Sequence, residues 1–146
     1  MSCPDVAATE ELGAAIAREA RPGDVIGLCG PLGAGKTVLV RGAVRGLGGD
    51  PALVRSPTFT LMNVYPCVPP IHHFDLYRLA SADDLEGIGF HEFAHADGVS
   101  FVEWADRFPE LGPQLSLRVD IGFAGRGERR RVSLTGSLGK GQEQED

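Results

Sequence analysis

The amino-terminal third of the chain carries a helix, a strand and a second helix in its pattern of apolar residues. Between Thr9 and about Arg21, apolar residues recur every four positions, which predicts an amphipathic helix with Thr9 as its N-cap. VIGLC (25–29) is a short apolar run between turn residues, typical of a strand buried on both faces of a parallel sheet. VLVRGAVRGL (38–47) has a helical pattern that stops at two glycines.

The middle of the chain alternates between apolar strand patterns and turns. TLMNVY (60–65) and IHHFD (71–75) predict two strands joined through a proline-rich segment, and VSFVEW (99–104) predicts a second buried strand. Between them, a capped start at Ser81 predicts a helix that continues through DDLEGIGFHEFAHA. The adjacent histidines of IHHFD should point to opposite faces of the strand, where we expect them to pack or to support site residues.

The carboxyl-terminal part predicts a hairpin. From Leu115 to Phe123 apolar residues alternate with polar ones, which predicts a half-exposed strand that returns through an AGRGE turn and RRRVSLT. The whole pattern predicts an α/β fold: a three-layer sandwich whose mixed sheet ends in an antiparallel C-terminal hairpin. We predict one domain over residues 1–138 and a polar, disordered tail over 139–146.

Composition and charge narrow the class of protein. With 146 residues, 42% hydrophobic and 23% charged, the chain has the composition of an ordinary globular protein. Its net charge of −6 argues against a free-standing nucleic-acid binder, which usually has a basic face. The three cysteines form no C-x-x-C pair, so we expect reduced thiols and a cytoplasmic location. We expect neither a signal peptide nor a membrane span.

Two short motifs predict incompatible chemistry. HEFAH (91–95) fits H-E-x-x-H, in which two histidines bind zinc, whereas GPLGAGKT (30–37) fits a phosphate-binding loop. A zinc site needs a third ligand, and no histidine or cysteine follows His95. We therefore predict that HEFAH belongs to a surface helix and that the protein binds no zinc.

The phosphate-loop motif has the flanking elements that its chemistry requires. A buried strand precedes it and a helix follows it, so backbone N–H groups and the helix N-terminus can converge on phosphate oxygens. Gly30, Gly33 and Gly35 allow the backbone to turn. Lys36 should reach the β- and γ-phosphates, and the Thr37 hydroxyl should bind Mg²⁺.

Two acidic residues and one threonine could complete a nucleotide site. Glu103 ends an apolar strand, where a carboxylate can hold Mg²⁺ directly or through water, and Asp75 ends IHHFD, a poorer match to that pattern. Either carboxylate could orient the attacking water. Thr58, in the extended segment RSPTFT (55–60), could sense the γ-phosphate as switch threonines do. The chain has no [NT]-K-x-D string for reading guanine, which favours ATP over GTP.

The order and spacing of five motifs, GPLGAGKT, SPTFT, HHFDLYRL, DDLEGIGF and FVEW, resemble the bacterial TsaE (YjeE) family. The most distinctive element is HFDLYRL (73–79), which generic phosphate-loop proteins lack, and the resemblance covers roughly residues 9 to 135. It implies a P-loop NTPase-like fold and an ATPase that acts with TsaD and TsaB to make threonylcarbamoyladenosine in tRNA.

The resemblance also implies roles for individual residues. Thr37 and Glu103 would bind Mg²⁺, and Asp75 would be needed for activity. In some relatives an arginine of the final hairpin approaches adenine, and the corresponding position in this chain, without gaps, is Glu128. Arg126 or Arg129 could take the place of that arginine. Lys36, Asp75 and Glu103 are thus the predicted catalytic residues. The predicted ATP contacts are Gly30, Gly33, Ala34, Gly35, Lys36, Thr37, Val38 and Thr58.

We expect slow Mg²⁺-dependent ATP hydrolysis that drives or resets a complex with TsaD and TsaB, with tRNA contacted through those partners. No obvious arginine finger is placed by the sequence, so a partner could complete the site. The alternatives are a small-molecule kinase with the same phosphate loop and a nucleotide-gated binding module whose hydrolysis is incidental.

Overall fold

The computed structural model describes residues 1–55, 62–87, 89–94 and 97–139. The strands in this part of the chain are Ser2–Cys3 (β1), Val25–Cys29 (β2), Met62–Tyr65 (β3), Ile71–Asp75 (β4), Val99–Glu103 (β5), Leu117–Phe123 (β6) and Arg130–Gly136 (β7). The α-helices are Val6–Glu19 (α1), Lys36–Gly46 (α2), Asp84–Gly87 (α3) and Phe90–Ala94 (α4), and 3₁₀ turns occupy Pro51–Leu53, Ala105–Arg107 and Pro109–Gln114.

The strands form one mixed sheet in the order β1-β7-β6-β2-β5-β4-β3. Its four central strands, β6, β2, β5 and β4, are parallel. On one side of them, β3 pairs antiparallel with β4. On the other side, β7 pairs antiparallel with β6, and β1 pairs antiparallel with β7. The predicted mixed sheet and C-terminal hairpin are therefore confirmed. Because the central strands are parallel, the carboxyl ends of β2, β4 and β5 meet at one edge of the sheet.

Helical layers cover the two faces of the sheet. The helices α1 and α2 pack on one face, where Ile26 and Leu28 of β2 contribute to the core. The short helices α3 and α4 pack on the other face, against Val25 and Cys29 of the same strand. All five residues of β2 are buried, as its apolar run predicts. These layers form the predicted three-layer sandwich.

Two helical boundaries differ from the sequence prediction. The first helix begins at Val6 with Asp5 as its N-cap, whose carboxylate accepts from the Ala8 amide at 2.8 Å, so the prediction of Thr9 as the cap was wrong. Asp5 is an equally good capping residue one turn earlier, and Thr9 is buried inside the helix. The predicted helix from Ser81 onward is divided into α3 and α4 by Gly89, which has a φ of 76°.

Several predictions fall outside the described residues. These are Thr58 with positions 56–61, His95, and residues 140–146 of the tail. At the beginning of the predicted tail, the Gly139 amide donates to the buried carboxylate of Asp24 at 2.8 Å.

No helix in the described ranges combines the length and the apolar character that a bilayer crossing requires.

Candidate functional site

The loop between β2 and α2 turns through backbone conformations that favour glycine. Gly30 has a φ of 149°, and a Cβ atom there would lie 2.1 Å from the Ile121 carbonyl oxygen, so the position excludes a side chain on both counts. Gly35 has a φ of 112° and is the N-cap of α2. Gly35 makes no side-chain capping bond, so the first amides of α2 remain available to another acceptor. An anion at this position would meet both the amides and the positive end of the helix dipole.

Lys36 lies at the start of α2, and its ammonium group turns back over the loop. The Nζ atom donates to the Gly30 carbonyl at 2.5 Å and lies 3.6 Å from the centroid of the Trp104 ring. Burial lowers the pKa of the Lys36 ammonium, while nearby carboxylates, led by Glu103, act in the opposite direction. A phosphate group in the loop would supply further negative charge to this buried cation.

Thr37 and Glu103 meet where α2 begins and β5 ends. The Thr37 hydroxyl donates to Oε2 of Glu103 at 3.1 Å, which leaves the lone pairs of the threonine oxygen for another partner. Asp75 is the register partner of Glu103 on the neighbouring strand β4, and its Oδ1 accepts from the Tyr77 amide at 2.9 Å. A hydroxyl and two carboxylates at one edge are the oxygen ligands that Mg²⁺ prefers. This set of donors fits the predicted metal.

A histidine and a tyrosine extend this arrangement into the core. His73 Nε2 lies 2.5 Å from Oε2 of Glu103, and Nδ1 of the same ring lies 3.0 Å from the Tyr65 hydroxyl. From the sequence we expected only packing or a supporting role for the histidines of β4, and Tyr65 was not among the predicted site residues. The available signal was the period of two along β4, which places His73 on the same face as Asp75.

The loops that follow β4 and β5 are tied to each other. Trp104, directly after β5, has a φ of 61° and is the one non-glycine residue in the described ranges with a positive φ. Its ring lies 5.0 Å from that of Tyr77. Arg107 donates from Nε and Nη2 to the Leu79 carbonyl at 3.0 and 2.8 Å. Backbone strain at a bulky residue persists only where surrounding contacts enforce it, and these contacts hold Trp104 beside Lys36.

The final hairpin contacts the phosphate loop through Arg130, which belongs to the arginine run of the predicted hairpin. Arg130 donates from Nε to the Ala34 carbonyl at 2.7 Å, and its guanidinium carbon lies 4.8 Å from the centroid of the Phe123 ring. Glu128 instead accepts from the Val6 amide at 3.0 Å, at the N-terminus of α1. The hairpin thus supports the loop from the side of β7.

The histidine motif has other partners in the structure. His91 contacts the Glu86 carboxylate through Nδ1, and its Nε2 lies 3.0 Å from the Gln114 side-chain oxygen. His95 lies outside the described residues. Among the residues that are described, no three histidine, cysteine or acidic side chains lie close enough together to form the kind of site that zinc uses.

The structure brings most of the predicted site residues together. Lys36, Thr37, Glu103 and Asp75 lie at the carboxyl edge of the sheet around the glycine loop. Ala34 is fully buried in the loop, and Val38 is half-buried in the first turn of α2. The site combines a buried strand, a glycine loop, a helix that begins with Lys-Thr and a strand that ends in an acidic residue. This combination defines a protein of the P-loop NTPase-like class.

Comparison with known proteins identifies the family within that class. Residues 3–132 match the family model "Threonylcarbamoyl adenosine biosynthesis protein TsaE". A Bacillus subtilis protein named "tRNA threonylcarbamoyladenosine biosynthesis protein TsaE" is 45% identical over 111 residues, which are 75% of this chain and 68% of that protein. A Streptomyces coelicolor protein of the same name is 40% identical over 133 residues, covering 86% and 88%. The chain belongs to the TsaE family.

A solved structure supports the same assignment. "Crystal structure of Bacillus subtilus YdiB" aligns with a TM-score of 0.70 and 32% sequence identity, over 99% of this chain and 88% of that one. The predicted fold class and the resemblance to this family are therefore confirmed.

Proposed function

We propose that this protein is a Mg²⁺-dependent ATPase that acts with TsaD and TsaB in the threonylcarbamoyladenosine modification of tRNA. The observation that carries the proposal is the hydrogen bond between Thr37 and Glu103, 3.1 Å long, beside the buried ammonium of Lys36 at the glycine loop. The relatives' names place their role in this tRNA modification. The ATPase chemistry and the partners are our extension.

The loop and helix α2 would bind the triphosphate. The amides at the start of α2 and the loop would donate to phosphate oxygens, and Lys36 would exchange its bond to the Gly30 carbonyl for the β- and γ-phosphates. Thr37 and Glu103 would hold Mg²⁺, which supplies charge neutralisation on the transferring phosphoryl group. Arg130, through the Ala34 carbonyl, supports the backbone that makes these contacts.

Asp75 is the better candidate for orienting the attacking water. Oε2 of Glu103 already accepts from Thr37 and contacts His73, so this carboxylate is committed to holding the metal site. Asp75 lies next to it in register and is only partly buried, so water can reach it. Its carboxylate would accept a hydrogen bond from water as the water oxygen attacks the γ-phosphorus and the bond to the bridging oxygen of ADP breaks.

Two arginines near the site are already bound to backbone carbonyls, which supports slow hydrolysis by the isolated chain. Arg130 contacts the loop through carbonyl oxygens, so its charge supports the backbone, and Arg107 is bound to the Leu79 carbonyl. A partner that supplies positive charge to the transferring phosphoryl group would raise the rate, as arginine fingers do. The net charge of −6 favours contact with tRNA through the partners.

The proposal is tested by reconstitution. Purified TsaD and TsaB are incubated with a tRNA transcript, ATP, Mg²⁺ and the substrates of the modification, with and without this protein, and the modified nucleoside is quantified by mass spectrometry. We expect modification over repeated turnovers only when this protein and ATP are both present. Equal modification without it would contradict the proposal.

The same reactions separate the alternatives. A phosphorylated small molecule formed from ATP would indicate a kinase. Full modification by an Asp75→Ala variant that binds ATP but does not hydrolyse it would indicate a nucleotide-gated binding module.

A further inference from the structure

A continuous path of hydrogen bonds leads from the predicted metal site to the backbone of Arg55. Oε2 of Glu103 contacts His73 Nε2 at 2.5 Å, and His73 Nδ1 contacts the Tyr65 hydroxyl at 3.0 Å. That hydroxyl in turn lies 3.2 Å from the Arg55 amide nitrogen and 2.9 Å from the Arg55 carbonyl oxygen. We call Tyr65, His73 and Glu103 the carboxylate relay.

The chemistry of the groups fixes the direction of the central bond. An ionised carboxylate only accepts hydrogen bonds, so the hydrogen lies on His73 Nε2. The Tyr65 hydroxyl pairs with Nδ1 and can donate to it or accept from it, because the role of this ring nitrogen depends on the tautomer. Asn63 Nδ2 lies 3.2 Å from the Arg55 carbonyl oxygen, so this carbonyl keeps a donor when the tyrosine hydrogen goes to His73. Each atom along the relay therefore has a partner of the required kind.

Burial makes the relay rigid. His73 is 0% exposed, Tyr65 is 3% exposed and Glu103 is 4% exposed, so water cannot easily replace a lost partner. A hydrogen bond to an ionised group in such surroundings is stronger than one between neutral groups. His73 therefore holds Oε2 at the position where it also accepts from Thr37.

We propose that His73 and Tyr65 are positioning residues for the metal site. His73 fixes the orientation of the Glu103 carboxylate, and Tyr65 fixes the ring of His73 and anchors it to the backbone of Arg55. The inference rests on the proposed function, because it takes Thr37 and Glu103 as the groups that hold Mg²⁺. Groups that orient metal ligands in this way contribute roughly 10- to 100-fold to metal affinity.

Substitutions of His73 and Tyr65 separate a role in positioning Glu103 from a role in packing. His73→Gln can place an amide nitrogen near the position of Nε2 and keep a donor for Glu103. His73→Asn is shorter and loses that donor. Tyr65→Phe removes the hydroxyl and keeps the ring. The matched control is His72→Asn, because His72 is a buried histidine of the same strand that points to the opposite face.

The readout is the binding of the non-hydrolysable analogue AMPPNP by calorimetry, in excess EDTA and over a series of Mg²⁺ concentrations. For His73→Asn we expect AMPPNP affinity in EDTA within about twofold of wild type, and a half-maximal Mg²⁺ concentration roughly 10- to 100-fold higher. His73→Gln should recover most of this loss, Tyr65→Phe should give a smaller loss, and His72→Asn should match wild type.

The inference is overturned if folded His73→Asn protein has the wild-type Mg²⁺ requirement, or if its AMPPNP affinity in EDTA falls by as much as its affinity with Mg²⁺. If His73→Asn does not fold, as circular dichroism would show, Tyr65→Phe decides, and an unchanged Mg²⁺ requirement overturns the inference. Wild-type protein that binds no AMPPNP would overturn the proposed function as well, whereas normal wild-type binding with unaffected variants would overturn the inference alone.

Discussion

The Thr37 hydroxyl donates to the Glu103 carboxylate at 3.1 Å, although the two residues are 66 positions apart in the chain. The contact exists because β2 and β5 are parallel neighbours, so that the loop after β2 and the end of β5 reach the same edge of the sheet. It joins the phosphate loop to an acidic strand end, and four predictions concern this edge and the layers that support it.

Substitution of Lys36 by alanine should weaken ATP binding. The side chain supplies a charged donor to the loop, and a charge-assisted contact with phosphate is worth about 1.5 to 3 kcal/mol, or roughly 10- to 150-fold in affinity. Calorimetry with ATP and Mg²⁺ measures the change. Arg45→Ala, which removes an exposed charge at the other end of α2, is the control and should leave affinity unaltered. Wild-type affinity in the Lys36 variant would refute the placement of phosphate at this loop.

Asp75→Asn should separate hydrolysis from binding. The amide oxygen can still accept from the Tyr77 amide, but it is a much weaker proton acceptor for water, so the rate should fall by roughly 10²- to 10⁴-fold while ATP affinity stays within about threefold. Phosphate release under single-turnover conditions gives the rate. Asp83→Asn, at an exposed position, serves as the control. A normal rate in the Asp75 variant would contradict the assignment of the attacking water to Asp75.

Cys29 should make folding stability depend on alkaline pH. Burial, assisted by the charge of Asp106, raises the pKa of its thiol from 9.0 to about 11. The folded protein therefore keeps this proton at pH values where the unfolded chain has lost it. The corresponding stability is complete below pH 9 and is lost as the pH rises towards 11, with a total of roughly 2 to 3 kcal/mol.

Urea unfolding between pH 8 and 11 measures this effect, because the wild-type free energy of unfolding should fall more steeply than that of Cys29→Ala. Other groups titrate in both proteins, so the difference between the two slopes isolates the thiol. Parallel curves would show that Cys29 does not contribute.

Gly42→Ala should destabilise the fold. A Cβ atom at this position of α2 would lie 1.8 Å from the Glu10 carbonyl oxygen of α1, so the two helices must separate. Overpacking of this kind costs about 1 to 3 kcal/mol or more, measurable by urea unfolding. Gly87→Ala is the helical control, since a Cβ atom there meets no described residue within 4 Å, and its effect should stay within about 1 kcal/mol. Equal stability of the two variants would argue against this close helix contact.

The local sequence pattern predicted the strands, loop and helix of the site, but it did not predict contacts between residues that are far apart in the chain. VIGLC is a fully buried strand, the loop and α2 follow it directly, and β6 and β7 form the predicted hairpin. In contrast, the contact of Arg130 with the Ala34 carbonyl joins residues 96 positions apart, and the pairing of Ser2–Cys3 with β7 depends on a strand too short to carry a pattern. The choice between Asp5 and Thr9 as the helix cap also escaped the pattern, because both residues can cap.

By itself, the sequence determined the glycine loop, the lysine and threonine that follow it, and the periods of the strands and helices around it. These features depend on backbone conformations and side-chain spacings within a few residues, which local sequence encodes directly. Tertiary structure alone decided that Glu103 faces Thr37, that Asp75 lies beside Glu103, and that His73 and Tyr65 lie behind them. Those contacts follow from strand order and register, which are set by the packing of the whole sheet against its two helical layers.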